Sequence, residues 1–262
     1  MRVALGQFAV SRNWEDNTQT VLDLMQKAQN NGADLLVLPE GILARDIADP
    51  EIVLKAAQKL DGPFMTRILE ESCGSNLTVM TTIHIPAPSG KVFNTFVTFR
   101  NGEIIGQYRK LHLYDAFSDK ESENVQPGDE IPALIDVAGF RLGTMTCYDV
   151  RFPELARRLV LEGADVLVLP AAWVKGPNKE FHWQTLVTAR ALENTSYMIA
   201  VGECGSRNIG ASMVVDPLGI ACVRAGEAPA LLYADLDRER LEYARKILPV
   251  LENRRFRKPE LS

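Results

Sequence analysis

The sequence predicts a layered α/β fold: a four-layer α-β-β-α sandwich built from two related halves. Three observations point there. The stretch GADLLVLP at 32–39 returns almost unchanged as GADVLVLP at 163–170. Around each copy, strand-like and helix-like segments follow one another in the same order, at a spacing far beyond the roughly 20–50 residues of a solenoid repeat. No Pro/Gly/Ser-rich linker divides the halves. Residues 1–262 therefore read as a single domain, with a tail from about 248 read as an extended arm.

The elements follow from local pattern. VALGQF at 3–8 reads as a buried strand, and 17–31 as a helix with Val21, Leu22, Met25 and Ala28 on one face. Gly32 ends that helix, and the strand 35–38 is stopped by Pro39. A helical stretch over 51–73 is interrupted at Asp61-Gly62-Pro63. The strand 77–85 then leads into the hairpin VFNTFVTF-RNG-EIIGQY, where Asn101-Gly102 supplies the positive φ angles of a tight turn. In the second half, 141–147 is a strand and 153–162 a helix with Leu155, Ala156, Leu159 and Val160 inward. The repeated strand at 166–169 precedes a helix over 181–194, a strand over 197–203 and a hairpin turning at Asp216-Pro217-Leu218-Gly219. A charged helix begins near Arg238 and runs into NRRFRKPELS.

Composition narrows the function classes. A hydrophobic share of 46% with 24% charged residues supports a large core under a polar surface. The net charge of −5 argues against nucleic-acid or anionic-membrane partners, which need a concentrated basic face. No apolar run approaches the about 20 residues of a membrane span, and the first ten residues alternate like a strand, not like a secretion leader. Cys73, Cys147, Cys204 and Cys222 form no CxxC pair, so a reducing, cytoplasmic setting is expected.

Cys147 stands where an apolar strand ends and a helix is about to start, with Pro153 suited to the first helical turn. Such a corner exposes a nucleophile above a sheet and turns backbone N–H groups towards an oxyanion. Position alone also allows a buried, inert thiol, a role free cysteines often fill. The base is not obviously a histidine. His84 lies in a strand, His182 at the head of a helix, and His112 just after Arg109-Lys110; no HxH or HExxH spacing supports a metal site. A carboxylate is the alternative base. Glu40 follows the first GADLLVLP, at the carboxyl end of a buried strand, while Ala171 takes that place in the second copy. Lys110 closes the hairpin strand EIIGQYRK. Each of these has an ordinary reading as a solvated strand-end charge.

Together LLVLPEG, YRKLHLYD and TCYDVRFPEL resemble the three signature regions of the nitrilase superfamily of carbon–nitrogen hydrolases, in order and nearly end to end. The resemblance implies the nitrilase-like form of the sandwich and a catalytic triad of Glu40, Lys110 and Cys147. It also implies an auxiliary glutamate in the acidic stretch FSDKESENVQPGDE, placed at Glu121 before Glu123. On that basis Glu40 takes the thiol proton and Cys147 attacks an amide carbonyl. Lys110 and the Tyr148 N–H hold the oxyanion, and water activated by Glu40 or Glu121 hydrolyses the thioester. No metal and no organic cofactor is implied. RFPEL, LPAAWVKGP, HWxxLxxARALE, GECG and VVDPLG resemble the Nit branch, whose members hydrolyse terminal amides of small α-keto acids. The likeness is greater to its deaminated-glutathione group than to the omega-amidases acting on α-ketoglutaramate. An N-carbamoyl amide hydrolase, a nitrilase, an acyl-transferring relative and a non-catalytic scaffold are the competing readings.

Substrates of that kind need cations for their carboxylates. Arg151, four residues after Cys147, is the first candidate, and Trp173, after the repeated strand, is a candidate pocket wall. Lys175 and Arg207 lie in loops able to border the same cleft. A homodimer is expected, as is usual for the superfamily. Iodoacetamide labelling of Cys147 distinguishes an activated thiol from an inert one.

Overall fold

The repeated octapeptide folds the same way twice, and its aspartate shows why. Asp34 N–H donates to Arg2 O (2.8 Å), Asp34 O accepts from Thr78 N–H (3.0 Å), and Asp34 Oδ2 accepts from Arg2 N–H (2.7 Å). Asp165 makes the same three bonds to Arg141 and Tyr197, at 2.8, 3.0 and 3.2 Å. Each aspartate thus bolts three adjacent strands at their amino ends. The preceding Gly32 (φ 68°) and Gly163 (φ 109°) adopt left-handed conformations that end the helices before them.

The computed structural model describes residues 1–46, 48–117 and 119–256. Its first half comprises β1 (Arg2–Gln7), α1 (Trp14–Asn30), β2 (Leu35–Val37), α2 (Ile52–Lys55), α3 (Pro63–Ser72), β3 (Thr78–Pro86), β4 (Val92–Arg100) and β5 (Glu103–Arg109). A small ribbon of β6 (Asp115–Ala116) and β7 (Asp119–Lys120) follows. The second half comprises β8 (Ile135–Val137), β9 (Phe140–Thr144), α4 (Pro153–Leu161), β10 (Val166–Ala171) and α5 (Lys179–Asn194). It continues with β11 (Tyr197–Gly202), β12 (Met213–Val215), β13 (Ala221–Arg224), β14 (Ala230–Asp235) and α6 (Arg238–Ile247).

Two six-stranded sheets result, ordered β14-β1-β2-β3-β4-β5 and β13-β12-β11-β10-β9-β8. In each, three central strands are parallel and the flanking strands antiparallel. Val3 pairs with Leu35 as Leu142 pairs with Val166, so the halves share register as well as order. Alternate residues then serve different layers. Leu5, Leu35 and Val37 meet Leu142, Val166 and Val168 between the sheets. Leu36 and Leu38 face α1 and α3, while Leu167 and Leu169 face α4 and α5. The expected four-layer α-β-β-α arrangement is what forms.

Several boundaries differ from the sequence reading for physical reasons. Helix α1 begins at Trp14 because Asn13 caps it, accepting from Glu15 N–H (2.9 Å). Asn17 lies inside that helix, buried, donating to Ser11 O and Leu43 O. The 51–73 stretch splits in two, with Pro63 opening α3. The strand read as reaching Cys147 stops at Thr144, and Cys147–Arg151 is a 3-10 turn. Strand β14, not anticipated, leaves the second half to pair with β1. The tail does not depart at 248: residues 249–253 turn back, and Leu251 packs on the second-half core. Residues 257–262 of the expected arm lie outside the described residues.

Candidate active site

At the carboxyl ends of the central strands a cleft of about 500 Å³ is lined by Glu40, Lys110, Glu121, Cys147 and Trp173, among others. Glu40 leaves β2 one residue beyond Pro39 and is 1% exposed. Four groups hold its carboxylate. Oε1 accepts from Lys110 Nζ (3.0 Å) and Asn94 Nδ2 (2.7 Å). Oε2 accepts from the Ala172 N–H (2.8 Å), with Arg45 4.0 Å away. Burial works against the charge, but Lys110 and then Arg45 outweigh it and bring the Glu40 pKa down to about 2.

Lys110, 2% exposed, is placed by its own backbone: its N–H donates to Asn94 O (2.9 Å), and its carbonyl accepts from Gly128 N–H (2.8 Å). A Cβ at Gly128 would collide with the Arg109 carbonyl, so this approach requires glycine. Glu121 chelates Lys110 Nζ through both oxygens (3.0 and 2.7 Å) and also accepts from Tyr114 N–H (2.7 Å). Glu123 lines the cleft without an ion pair to Lys110. Burial disfavours the ammonium, yet Glu121 and Glu40 together raise its pKa above the ordinary lysine value.

Cys147 opens the 3-10 turn at φ 44°, a left-handed conformation costly for a residue with a side chain, and is 7% exposed. Burial, followed by the Glu40 charge, raises its thiol pKa, and the Lys110 charge opposes this. Asp149 N–H makes the first bond inside the turn, to Thr146 O (2.9 Å), leaving the N–H groups before it, Tyr148 included, without a partner in the turn.

Behind the elbow lies a bracket that sequence reasoning missed. Asp149, 0% exposed, accepts four bonds: from Tyr108 Oη (2.5 Å), Thr146 N–H (2.9 Å), His112 N–H (3.0 Å) and His112 Nδ1 (2.7 Å). These fill the acceptor capacity of a carboxylate, and the last places a proton on Nδ1. His112 stacks on Phe152 at 3.7 Å. The Cys147 turn and the strand end that carries Lys110 are thereby tied to one buried group. Asn94, Arg45 and Lys179 were also missed. Asn94 was the detectable one: a polar residue in the apolar run VFNTFVTF.

The remaining candidates are distributed around this centre. Trp173 lines the cleft, is buried, and donates Nε1–H to Lys179 O (3.0 Å). The Arg151 guanidinium lies 4.9 Å from the Trp173 ring centroid. Arg207 borders the cleft, whereas Lys175 borders an adjoining outer pocket and pairs with Glu227 at 3.8 Å. His84 also lines the cleft; burial, then Arg45, drives its pKa to about 3, so it stays neutral. His182 is no part of it. Among the described residues no group of three or more His, Cys, Asp or Glu is placed to hold a metal ion, and no helix is long and apolar enough to cross a membrane.

A buried carboxylate and ammonium facing a thiol on a strained elbow, within stacked duplicated sheets, define a class of enzyme. The chain belongs to the carbon–nitrogen hydrolase family, whose model matches residues 2–246, and it acts on carbon–nitrogen bonds by hydrolysis. It is 50% identical over 261 residues to deaminated glutathione amidase of Escherichia coli O157:H7, covering 100% of both chains. Among solved structures it resembles Saccharomyces cerevisiae Nit3, a member of branch 10 of the nitrilase superfamily. That match has a TM-score of 0.85 and 28% identity, over 98% of this chain and 97% of the other. The Caenorhabditis elegans NitFhit protein gives a TM-score of 0.90 at 29% identity, over 97% of this chain and 65% of that one.

Proposed function

We propose that the chain is a cysteine amidase of small α-keto acid amides, with deaminated glutathione as its preferred substrate. The observation that carries the reading is the Glu40 carboxylate, ionised in a buried corner against the Cys147 thiol and neutralised by Lys110. As Sγ bonds to the amide carbon, its proton passes to Glu40. The developing oxyanion is held by the Lys110 ammonium and the Tyr148 N–H. Protonated Glu40 gives its proton to the departing nitrogen, the C–N bond breaks, and a thioester remains. Water then loses a proton to Glu40, with Glu121 as auxiliary, and attacks the thioester; the acid leaves and the thiol is restored. Deaminated glutathione has a secondary amide, so the departing group is a peptide amine, whereas a primary amide yields the ammonia expected from sequence.

Arg151, beside Trp173, is assigned to a substrate carboxylate. The substrate choice is supported by the 50% identity to a protein of that name. We further read the chain as one cytoplasmic domain acting as a homodimer, with exposed Phe181 and Leu192 of α5 as the apolar surface available for pairing.

The test is product formation from deaminated glutathione, α-ketoglutaramate, glutamine, a carbamoyl amino acid and a simple nitrile, measured as keto acid and as ammonia. Deaminated glutathione should give the highest kcat/KM; a preference for glutamine or the nitrile would refute the assignment. Glu40→Gln should fold normally and lose at least about 100-fold in kcat, the share of a general base.

A further inference from the structure

Two cations approach the Trp173 ring: Lys179 from the lining of the cleft and Arg151 from beside it. Lys179, the first residue of α5, is 5% exposed, and its Nζ donates to Tyr114 Oη at 2.6 Å. The same ammonium lies 3.8 Å from the Phe117 ring centroid and 5.9 Å from that of Trp173. Arg151 approaches Trp173 as well, and its Nε and Nη2 are buried without a hydrogen-bond partner. Among the described residues no carboxylate comes within ion-pairing distance of either side chain. Asp119 acts on Lys179 only through space.

That arrangement is costly in the empty protein. A buried cation ordinarily has a carboxylate beside it, and unpaired buried N–H groups forfeit their hydration. Here burial and then the Arg151 charge both work against the Lys179 ammonium. An anion entering between the two relieves all three penalties at once. The place is also specific. Lys179 and Cys147 line the same cleft. The carbonyl of Lys179 holds the Trp173 indole, next to the Ala172 N–H that bonds Glu40.

Resting on the amidase reading above, we propose that Lys179 joins Arg151 in gripping the carboxylate of the substrate's acyl portion, and that Lys179 sets the preference for anionic over neutral amides. An α-keto acid head, with a carboxylate beside a carbonyl, offers acceptors to an ammonium and a guanidinium together. The Tyr114 hydroxyl positions the ammonium, which its aromatic neighbours leave 5% exposed.

The experiment compares wild type, Lys179→Met and Lys179→Arg on three amides: α-ketoglutaramate, levulinamide, which lacks the carboxylate, and N-levulinoylglycine, which carries one only on the leaving side. Lys179→Met should lower the kcat/KM ratio of α-ketoglutaramate to levulinamide by about 30-fold, mainly through KM, the share of one charge-assisted hydrogen bond. Lys179→Arg should keep that ratio within about 5-fold of wild type. An unchanged ratio in Lys179→Met overturns the proposal, and so does a loss concentrated on N-levulinoylglycine. A second measurement does not depend on turnover: protection of Cys147 from iodoacetamide by 2-oxoglutarate. Half-protection should need about 30-fold more 2-oxoglutarate in Lys179→Met; equal protection overturns the assignment. Wild type inactive on all three amides and on deaminated glutathione would defeat the amidase reading and leave this binding result to judge Lys179 alone.

Discussion

At rest the three central side chains hold their protons in an arrangement that no single group can leave alone. Glu40 is a carboxylate with its pKa at about 2, Lys110 an ammonium, and Cys147 a thiol whose pKa burial and Glu40 have raised. A free thiolate would add a charge beside Glu40 and Glu121, so the proton leaves sulfur only as the carbon–sulfur bond forms. Cys147 alkylation should therefore show no inflection at the ordinary thiol value of about 8.5, and a sigmoid centred there would mark an independent thiol. This sharpens the labelling test that the sequence invites: slow, flat labelling at Cys147 is compatible with catalysis. Glu40 also links pH to stability. Its folded pKa, about 2, lies below the ordinary 4.5, so its contribution is complete above that value and is lost as pH falls towards 2. Urea unfolding of wild type should weaken over that window more steeply than that of Glu40→Gln; parallel curves would contradict the linkage. Glu40, Lys110 and Cys147 were singled out in the sequence because the motifs LLVLPEG, YRKLHLYD and TCYDVRFPEL carry them. Asn94 and Lys179 were not. The first was absorbed into an apolar run, and the second sits two residues before the helix that periodicity would begin at 181.

Between residue and molecule, the working unit is the β5 end docked on the Cys147 turn. Asp149 joins them, and its four accepted bonds leave no free lone pair for water. In Asp149→Asn the amide cannot accept all four, so buried donors of Tyr108, His112 or Thr146 go unpaired. The expected cost is about 3 kcal/mol in denaturant unfolding. Because the bracket sets Lys110 against Cys147, kcat should fall at least about 10-fold with KM little changed. Tyr108→Phe should show the same split more weakly. Lost stability with unaltered kcat would reduce Asp149 to a fastening. Sequence could not expose this unit, since its parts lie 41 and 37 residues apart and a lone aspartate after a candidate nucleophile reads as a turn residue.

Across the whole molecule, the duplication explains what was legible about the fold and also what was hidden. Repeated local signals gave two halves and four layers. They gave no hint that β14 would return to the first sheet, because strand pairing across the full chain length leaves no local mark. Gln7 sits at that crossover. Its Nε2 donates to Gly226 O (2.9 Å) and Ala228 O (2.7 Å), and its Oε1 accepts from Ser212 N–H (2.9 Å) and Ser212 Oγ (2.7 Å). Gln7→Leu should cost about 3 kcal/mol or more by orphaning these groups, measured as a lower denaturant midpoint with one transition. A change below about 0.5 kcal/mol would mean that the crossover is held by strand pairing alone.

The two copies of the octapeptide meet at their far ends, where Glu40 N–H reaches Ala171 O (3.5 Å) and the Ala172 N–H holds Glu40 Oε2. Perfect mirroring would place an acid at 171, and two carboxylates crowded into one dry corner cannot both stay ionised. One would hold a proton at neutral pH, and with it the role of proton acceptor proposed for Glu40 would be lost. The likeness between the halves must therefore break at the residue after the proline: one half keeps the charge, and the other keeps the bare peptide that steadies it.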